Sequence, residues 1–103
     1  AVGFIDYSFK QNKNNMKNII EKATVVDVRS PQEFEQGHYP GAVNIPLDQI
    51  PGQIPKIKEM ESPIVAYCRS GNRSAMAVSI LKQSGINEVY NGGGIDDLLQ
   101  QSK

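Results

Sequence analysis

The only cysteine of the 103-residue chain, Cys68, opens a short stretch that also holds two arginines, Arg69 and Arg73. The stretch reads Cys68-Arg69-Ser70-Gly71-Asn72-Arg73-Ser74. The thiolate is the reactive form of cysteine, nearby cations favour it, and the planar guanidinium group of arginine suits oxyanions. A lone cysteine that closes an apolar run is usually an inert core residue. Two arginines with Gly71 between them instead favour a nucleophile that meets anionic substrates.

Cys68 is predicted to lie where a strand ends and a helix begins. Residues 63–67 have the length and the β-branched content of a buried strand, and a helix is predicted from about Ser74 to Gln83. A short loop at such a junction points backbone N–H groups inward and adds the positive end of the helix dipole. It therefore favours an anion at its centre, and the thiolate of Cys68 is one candidate for that anion.

The chain before this junction supplies two predicted elements. Residues 1–15 are interpreted as an N-terminal extension in which four apolar residues predict a short edge strand: Phe4, Ile5, Tyr7 and Phe9. Four further apolar residues at spacings of three and four predict a packing helix that ends near Lys22: Met16, Ile19, Ile20 and Ala23.

A strand over residues 24–28 leads into a short helix. Ser30 can cap this helix, a proline follows at its first position, and Glu33 stands at the capping-box position. The pattern predicts a helix over residues 31–35 that Gly37 stops.

Two ionisable residues in this part of the chain need a role. Asp27 is a carboxylate inside an apolar strand, and a buried acid needs Arg29, Arg73 or backbone N–H groups as a partner. We favour a structural role for Asp27, in which its carboxylate is paired within the fold, over a role in proton transfer. His38, the only histidine, is an alternative base for Cys68 in a cysteine hydrolase, but its turn-rich setting favours a role in holding a loop.

The remaining elements complete an alternating pattern. Strands are predicted over residues 42–46 and 86–90, with an amphipathic helical face between them that is formed by Ile54, Ile57 and Met60. The run Asn91-Gly92-Gly93-Gly94 is interpreted as a turn that lets the backbone pass close to the cysteine loop, before a terminal helix that carries Ile95, Leu98 and Leu99. Alternating strands and helices predict an α/β domain with a mainly parallel sheet, and active loops in such sheets lie at the carboxyl ends of the strands.

Length and charge bound the function. The length predicts a single domain. Eleven basic and eleven acidic side chains cancel, so neither a nucleic-acid surface nor an electrostatic membrane anchor is expected. No apolar run approaches the length of a bilayer span.

The sequence gives little information on the compartment. A single cysteine cannot form an intrachain disulfide, and the first residue is Ala and not Met. A cytoplasmic location is the expectation, with export to the periplasm as the alternative.

Two groups of residues, taken together, form a pattern that is highly specific for one protein family. The first is Asp27-Val28-Arg29 with Glu33-Phe34, Gly37-His38, Gly41-Ala42 and Asn44-Ile45-Pro46, and the second is the run from Tyr67 to Ser74. The run Gly92-Gly93-Gly94 before a final helix also matches. With these motifs the chain resembles the single-domain rhodaneses, a family of sulfurtransferases, over roughly residues 24–99.

The resemblance implies a fold and a set of site residues. The fold is a three-layer α/β domain over residues 1–103, with a mainly parallel sheet flanked by helices. Cys68 is implied as the catalytic residue that accepts sulfane sulfur and becomes a persulfide. Asp27 and Arg29 are expected to support the site. The implied substrate-binding residues are those of the loop: Arg69, Ser70, Gly71, Asn72, Arg73 and Ser74.

The resemblance also implies the substrates and leaves alternatives open. The sulfur donor is expected to be thiosulfate or a persulfide, and the acceptor is expected to be cyanide, a small thiol or a protein thiol. Neither a metal nor an organic cofactor is expected. One alternative is a phosphatase or arsenate reductase on the related fold, and another is a non-catalytic docking module. The six residues from Cys68 to Arg73 form a loop one residue shorter than the resemblance implies for dual-specificity phosphatases, which also have histidine where this chain has Tyr67.

Overall fold

The structure is a computed structural model that describes residues 16–103. The strands are β1 (Thr24–Asp27), β2 (Val43–Asn44), β3 (Ile64–Cys68) and β4 (Val89–Gly94). The helices are α1 (residues 16–22), α2 (Pro31–Gln36), α3 (Ile54–Lys58), α4 (Asn72–Gln83) and α5 (Ile95–Gln101), with 3₁₀ helices at Leu47–Gln49 and Pro51–Gln53. The edge strand expected in residues 1–15 lies outside the described residues.

The four strands form one sheet in the order β2-β1-β3-β4, and every neighbouring pair is parallel. This confirms the predicted α/β class. Strand β3 lies at the centre with all five of its residues buried, as its apolar sequence predicted. Because the strands are parallel, their carboxyl ends share one edge of the sheet, where Asp27 lies opposite Tyr67 and Cys68 lies opposite Gly94.

Two cores, one on each face of the sheet, give the domain its three layers. Alternate residues of β3 point to opposite faces, so Ile64, Ala66 and Cys68 join one core while Val65 and Tyr67 join the other. The first core also contains residues of α3 and α4: Ile57, Ala77 and Leu81. The second contains residues of α1 and α5: Ile20 and Leu98. Each fully buried Ile, Leu or Val side chain in these cores contributes about 1.5–3 kcal/mol of apolar transfer free energy.

No helix among the described residues is both long enough and apolar enough to cross a membrane.

The local signals around α2 are confirmed. Ser30 caps the helix, its hydroxyl accepts a hydrogen bond from the Glu33 backbone N–H, and the Glu33 carboxylate accepts one from the Ser30 backbone N–H. Pro31 occupies the first turn, and the helix ends at Gln36 with Gly37 as its C-cap. Helix α1 ends at residue 22, as predicted. These elements depend on neighbours within four residues, so the sequence specifies them directly.

The start of α4 differs from the prediction. The helix begins at Asn72, two residues before the expected Ser74, because Gly71 adopts a left-handed backbone with φ of 99° and ends the loop there. Arg73 and Ser74 therefore lie in the first turn of α4 and not in the loop proper. The loop between β3 and α4 is reduced to three residues: Arg69, Ser70 and Gly71.

Strand β4 also differs from the prediction. The strand begins at Val89 and runs through the three glycines to Gly94, so the expected turn over residues 91–94 is wrong. The glycines still allow a close approach. A Cβ at Gly92 would lie 2.8 Å from a Val65 side-chain carbon, and one at Gly94 would lie 2.5 Å from the backbone oxygen of Arg69. The expectation that this backbone passes close to the cysteine loop is thus confirmed.

Candidate active site

Cys68 is the last residue of β3 and is completely buried. The chain turns back immediately, so the Gly71 backbone N–H donates a hydrogen bond to the Cys68 sulfur across 3.0 Å. Gly71 lies close to β4, where a side chain would not fit easily. A Cβ at this position would lie 3.3 Å from the Gly93 Cα atom. The predicted arrangement, in which amides of a short loop point at the sulfur, is therefore present at Gly71.

Two opposing effects act on the pKa of the Cys68 thiol. Burial raises it, whereas hydrogen bonds from the Ser74 hydroxyl and from the backbone N–H groups of Ser74, Gly71 and Ser70 lower it. The hydrogen bonds outweigh burial, and the pKa of Cys68 lies below the ordinary value for a thiol. The loop thus favours the nucleophilic thiolate at a sulfur that the protein shields from water.

The Ser74 hydroxyl links this sulfur to β4. Its oxygen lies 3.5 Å from the Cys68 sulfur, 3.0 Å from the Gly71 carbonyl oxygen and 2.6 Å from the Asn91 side-chain oxygen. The Asn91 amide also donates to the Gly71 carbonyl across 3.2 Å, and its oxygen accepts from the Gly93 N–H across 2.9 Å. A hydroxyl has one proton to donate, so the Asn91 side-chain oxygen, the Gly71 carbonyl and a thiolate at Cys68 compete for it.

Asp27 and Arg29 form a buried ion pair below the loop. One Asp27 carboxylate oxygen accepts from the Arg29 backbone N–H at 2.9 Å and from Nε at 3.0 Å, and the other accepts from Nη2 at 2.8 Å and from the Tyr67 hydroxyl at 2.7 Å. Arg29 also donates to the Gly37 carbonyl at 2.6 Å, and the Tyr39 N–H donates to the Tyr67 hydroxyl at 2.9 Å. Of the three partners considered for Asp27, the structure therefore uses Arg29 together with its backbone N–H, and not Arg73.

This network is closed, because every charged or hydroxyl group in it has a partner. The Asp27 carboxylate raises the pKa of Arg29, and burial raises the pKa of Tyr67 to about 12. The arginine guanidinium also lies over the Tyr67 ring, 5.6 Å from its centroid. Tyr67 immediately precedes Cys68, so the network fixes the strand that carries the sulfur.

Arg73 makes a different ion pair, with Glu33 at the start of α2. Its Nη1 donates to one carboxylate oxygen at 2.7 Å and its Nη2 donates to the other at 3.0 Å. The Arg73 and Glu33 side chains are 39% and 26% exposed. The Arg73 hydrogen bonds, followed by that of the Ser30 N–H, lower the pKa of Glu33 to about 2.

Arg69 is exposed and makes no ion pair with any residue in the described range. It lines a cleft of about 460 Å³ beside the cysteine loop. The other residues that line this cleft are Arg29, Glu33, Gln36, Gly37, His38, Ile95, Asp96 and Leu99. Ser70 and Asn72 are exposed on the loop and at the start of α4. The structure thus brings Cys68, Gly71 and Ser74 together around the sulfur. It gives the two arginines different surroundings, because Arg73 pairs with Glu33 whereas Arg69 lines the cleft.

His38 contacts α2 instead of the sulfur. Its Nδ1–H donates to the Phe34 carbonyl at 2.9 Å, and its ring stacks on the Phe34 ring with centroids 3.7 Å apart. These contacts suit the expected loop-holding role. Within residues 16–103, no group of three or more His, Cys, Asp and Glu side chains is arranged to hold a metal ion.

Three contacts of the site were missed by sequence reasoning. The Asp27–Tyr67 hydrogen bond was accessible in principle, because the two residues occupy the same register of adjacent parallel strands. The Glu33–Arg73 pair joins residues 40 positions apart, and the local pattern around Glu33 indicates only a capping box. The sequence predicts a turn at Asn91, and only the position of Asn91 in β4 directs its side chain to the loop.

Comparisons with known proteins identify the family to which the chain belongs. The family model of the Rhodanese-like domain matches residues 9–100. Protein YqhL of Bacillus subtilis, described as uncharacterized, is 43% identical over 70 residues, which cover 68% of this chain and 55% of YqhL. Thiosulfate sulfurtransferase PspE of Escherichia coli is 35% identical over 74 residues, which cover 71% of each protein.

The fold has close structural relatives as well. A crystal structure of a rhodanese-related protein from Thermoplasma volcanium superposes with a TM-score of 0.71 at 35% identity, covering 86% of this chain and 88% of the other. The chain therefore spans nearly the whole of that structure but only about half the length of YqhL. The match of the Rhodanese-like domain over residues 9–100, together with these relatives, shows that the chain belongs to the rhodanese family.

Proposed function

We propose that this protein is a sulfurtransferase that moves sulfane sulfur from thiosulfate or a similar donor to a thiophilic acceptor through a persulfide on Cys68. The observation that carries the proposal is the sulfur environment. Cys68 ends a buried parallel strand, accepts a hydrogen bond from the Gly71 N–H and has a lowered pKa. A preformed thiolate can attack sulfur without a general base. This agrees with the contacts of His38, which are to Phe34 and not to the Cys68 sulfur.

The first half-reaction transfers one sulfur atom to the enzyme. The Cys68 thiolate attacks the outer sulfur of thiosulfate, the sulfur–sulfur bond of the donor breaks, and sulfite leaves with the electron pair of that bond. Charge is conserved, because a thiolate and a dianion give a persulfide anion and the sulfite dianion. The Gly71 N–H is placed to stabilise negative charge on the sulfur chain.

The second half-reaction returns the enzyme to its thiolate form. A nucleophilic acceptor such as cyanide, a small thiol or a protein thiol attacks the terminal sulfur, and the Cys68 thiolate is the leaving group. With cyanide the product is thiocyanate. This ping-pong scheme needs no proton transfer from a metal-bound water or a cofactor.

The shape of the loop bears on the alternative of a phosphatase or arsenate reductase. A transferred phosphoryl group has three oxygens that each need a donor. Here only three residues separate β3 from α4, and the Arg73 guanidinium is already bound by Glu33. A ring of this size suits a single terminal sulfur better than a tetrahedral anion. The buried thiol with a lowered pKa also supports catalysis over a docking module.

Steady-state turnover tests the proposal. The wild-type protein should form thiocyanate from thiosulfate and cyanide. Cys68→Ser should form none, because a serine hydroxyl does not ionise at neutral pH and cannot replace the thiolate as the nucleophile. The same preparations should leave an aryl phosphate intact. Hydrolysis of the aryl phosphate that depends on Cys68, without thiocyanate formation, would establish the phosphatase instead. Absence of both reactions in a folded protein would support the docking module.

A further inference from the structure

The guanidinium of Arg73, in the first turn of α4, is already bound by a carboxylate of another helix. Both of its terminal nitrogens bind the Glu33 carboxylate, at 2.7 and 3.0 Å. This is the two-point geometry that arginine would otherwise offer to a bound oxyanion. A substrate anion that bound Arg73 in this same two-point geometry would have to displace Glu33.

Glu33 is held in this position by its own helix. The Ser30 backbone N–H donates to its carboxylate at 3.1 Å, and the Ser30 hydroxyl lies 3.2 Å from the same oxygen. The Glu33 backbone N–H in turn donates to the Ser30 hydroxyl at 3.2 Å. The carboxylate is thus held from two sides, by the capping box and by Arg73.

The Glu33 charge acts on the site in two ways. It neutralises Arg73, so that Arg69 remains as an arginine near Cys68 without an ion pair to a described residue. It also lines the same cleft as Arg69, together with the carboxylate of Asp96. The Glu33 carboxylate raises the pKa of Arg73 and the Cys68 thiolate adds to that rise, so Arg73 lies within electrostatic reach of the reacting sulfur.

We propose that Glu33 is a specificity-determining residue that shifts the site toward singly charged sulfane-sulfur donors of the thiosulfonate type and away from the dianion thiosulfate. The inference rests on the sulfurtransfer function proposed above and names the donor class of the same site. Its basis is the charge that the donor meets. With Glu33 ionised, its charge and that of Arg73 cancel, as do those of Arg29 and Asp27. A donor in the cleft then meets the charges of Arg69 and Asp96, which are unpaired among the described residues, an environment that does little to offset the second negative charge of thiosulfate.

Two donors isolate this effect. Thiosulfate and methanethiosulfonate present the same outer sulfur on a sulfonyl group, but a methyl group replaces one oxygen in the second compound and removes one charge. The transfer is balanced for both. The Cys68 thiolate takes the outer sulfur, the sulfur–sulfur bond breaks, and either sulfite or methanesulfinate leaves with the electron pair. The change in the ratio of kcat/KM for the two donors between wild type and variant reports charge preference, because the intrinsic reactivity of each donor is the same with both proteins. In a ping-pong scheme, kcat/KM for the donor is also independent of the acceptor.

The variant that tests the proposal is Glu33→Gln. Glutamine is accepted at the capping-box position, so its side-chain oxygen can still receive the Ser30 N–H while the charge is removed. Glu35→Gln is the matched control, because Glu35 lies exposed on the same helix and makes no ion pair with a described residue. Thermal melting verifies that both variants are folded.

The expected result is a change in selectivity. In Glu33→Gln, the ratio of kcat/KM for thiosulfate over that for methanethiosulfonate should rise about three- to tenfold relative to wild type. The rise should shrink at high ionic strength because salt screens the charges. The ratio in Glu35→Gln should match that of the wild type.

Two other outcomes distinguish failure of the Glu33 inference from failure of the proposed sulfurtransfer function. If the wild type turns over both donors and Glu33→Gln changes them equally or not at all, Glu33 has only a structural role and this inference is wrong. If neither donor transfers sulfur to the wild-type protein, the proposed sulfurtransfer function itself fails, and the inference fails with it.

Discussion

Two arginine–carboxylate pairs flank the cysteine loop, and they differ mainly in exposure. The side chains of Asp27 and Arg29 are 0% and 8% exposed, whereas those of Glu33 and Arg73 are 26% and 39% exposed. Each arginine binds its carboxylate through two nitrogens. Chemically similar pairs therefore occupy the interior and the rim of the same site.

The buried Asp27–Arg29 pair has a structural role, whereas the exposed Glu33–Arg73 pair can influence substrate binding. The buried pair is tied to a tyrosine hydroxyl and to backbone groups, so its geometry has no room for a substrate. The rim pair has solvent around it, and a substrate anion can compete for its arginine. Removing one partner of a buried pair leaves an uncompensated charge, whereas exposed pairs contribute little to stability. The two pairs should consequently respond very differently to substitution.

The largest effect is expected from Asp27→Ala. The substitution leaves the Arg29 guanidinium and the Tyr67 hydroxyl buried without their shared partner, so the free energy of unfolding should fall by about 3–5 kcal/mol. Chemical denaturation measures this loss. Asp48→Ala is the control, because Asp48 is exposed, and it should change the same quantity by less than about 0.5 kcal/mol. A loss of less than 1 kcal/mol in Asp27→Ala, at the scale of a surface pair, would show that the buried network does not stabilise the domain.

An intermediate effect is expected from substitution of Arg69, in the loop, and of Arg73, in the first turn of α4, and the size of the effect distinguishes them. Arg69 has no competing carboxylate partner among the described residues, so Arg69→Ala should raise the KM for thiosulfate roughly ten- to a hundredfold, which corresponds to about 1.5–3 kcal/mol. Arg73→Ala should raise it less, because Glu33 already neutralises Arg73. Steady-state kinetics on proteins with verified folding measures both. A larger increase in KM for Arg73→Ala than for Arg69→Ala would show that thiosulfate displaces Glu33.

The smallest effect is a change of stability with pH at the rim pair. Arg73 lowers the pKa of Glu33 from its ordinary value of 4.5 to about 2, so the folded chain holds the proton less tightly than the unfolded chain. The stabilisation is therefore complete above about pH 4.5 and is lost as the pH falls toward 2. Because Arg73 is more than one-third exposed, solvent screening limits it to about 1 kcal/mol or less.

Denaturation of the wild type and of Glu33→Gln across this pH range checks the sign. The wild type should be the more stable protein at neutral pH, and the difference should vanish toward pH 2, where Glu33 becomes protonated. Glu35→Gln should show no such trend. A difference that stays constant with pH would mean that the charge of Glu33 does not stabilise the fold.

Local patterns predicted those parts of the site that depend on neighbouring residues. The capping box of Ser30 and Glu33 and the strand that ends at Cys68 follow from residue types within a few positions. The parallel sheet followed from the alternation of strands and helices. Glycines carry no side-chain pattern, so the run of β4 through Gly92 and Gly94 was interpreted as a turn.

Contacts between distant segments could not be derived in this way. Whether Arg73 would face a substrate, Asp27 or Glu33 depends on where α2 lies relative to α4, and no local rule supplies that position. The same holds for Asn91, whose contact with Ser74 arises from the packing of β4 against the loop. The sequence therefore predicted which groups are available for chemistry, while tertiary structure decided how they are paired.

The most direct test of the account is the intact mass of the protein after incubation with thiosulfate alone. The account predicts that the wild type gains the mass of one sulfur atom, that cyanide removes it, and that Cys68→Ser gains nothing. An unchanged mass in wild-type protein, with the Cys68 thiol shown by alkylation to be free, would contradict a persulfide on Cys68.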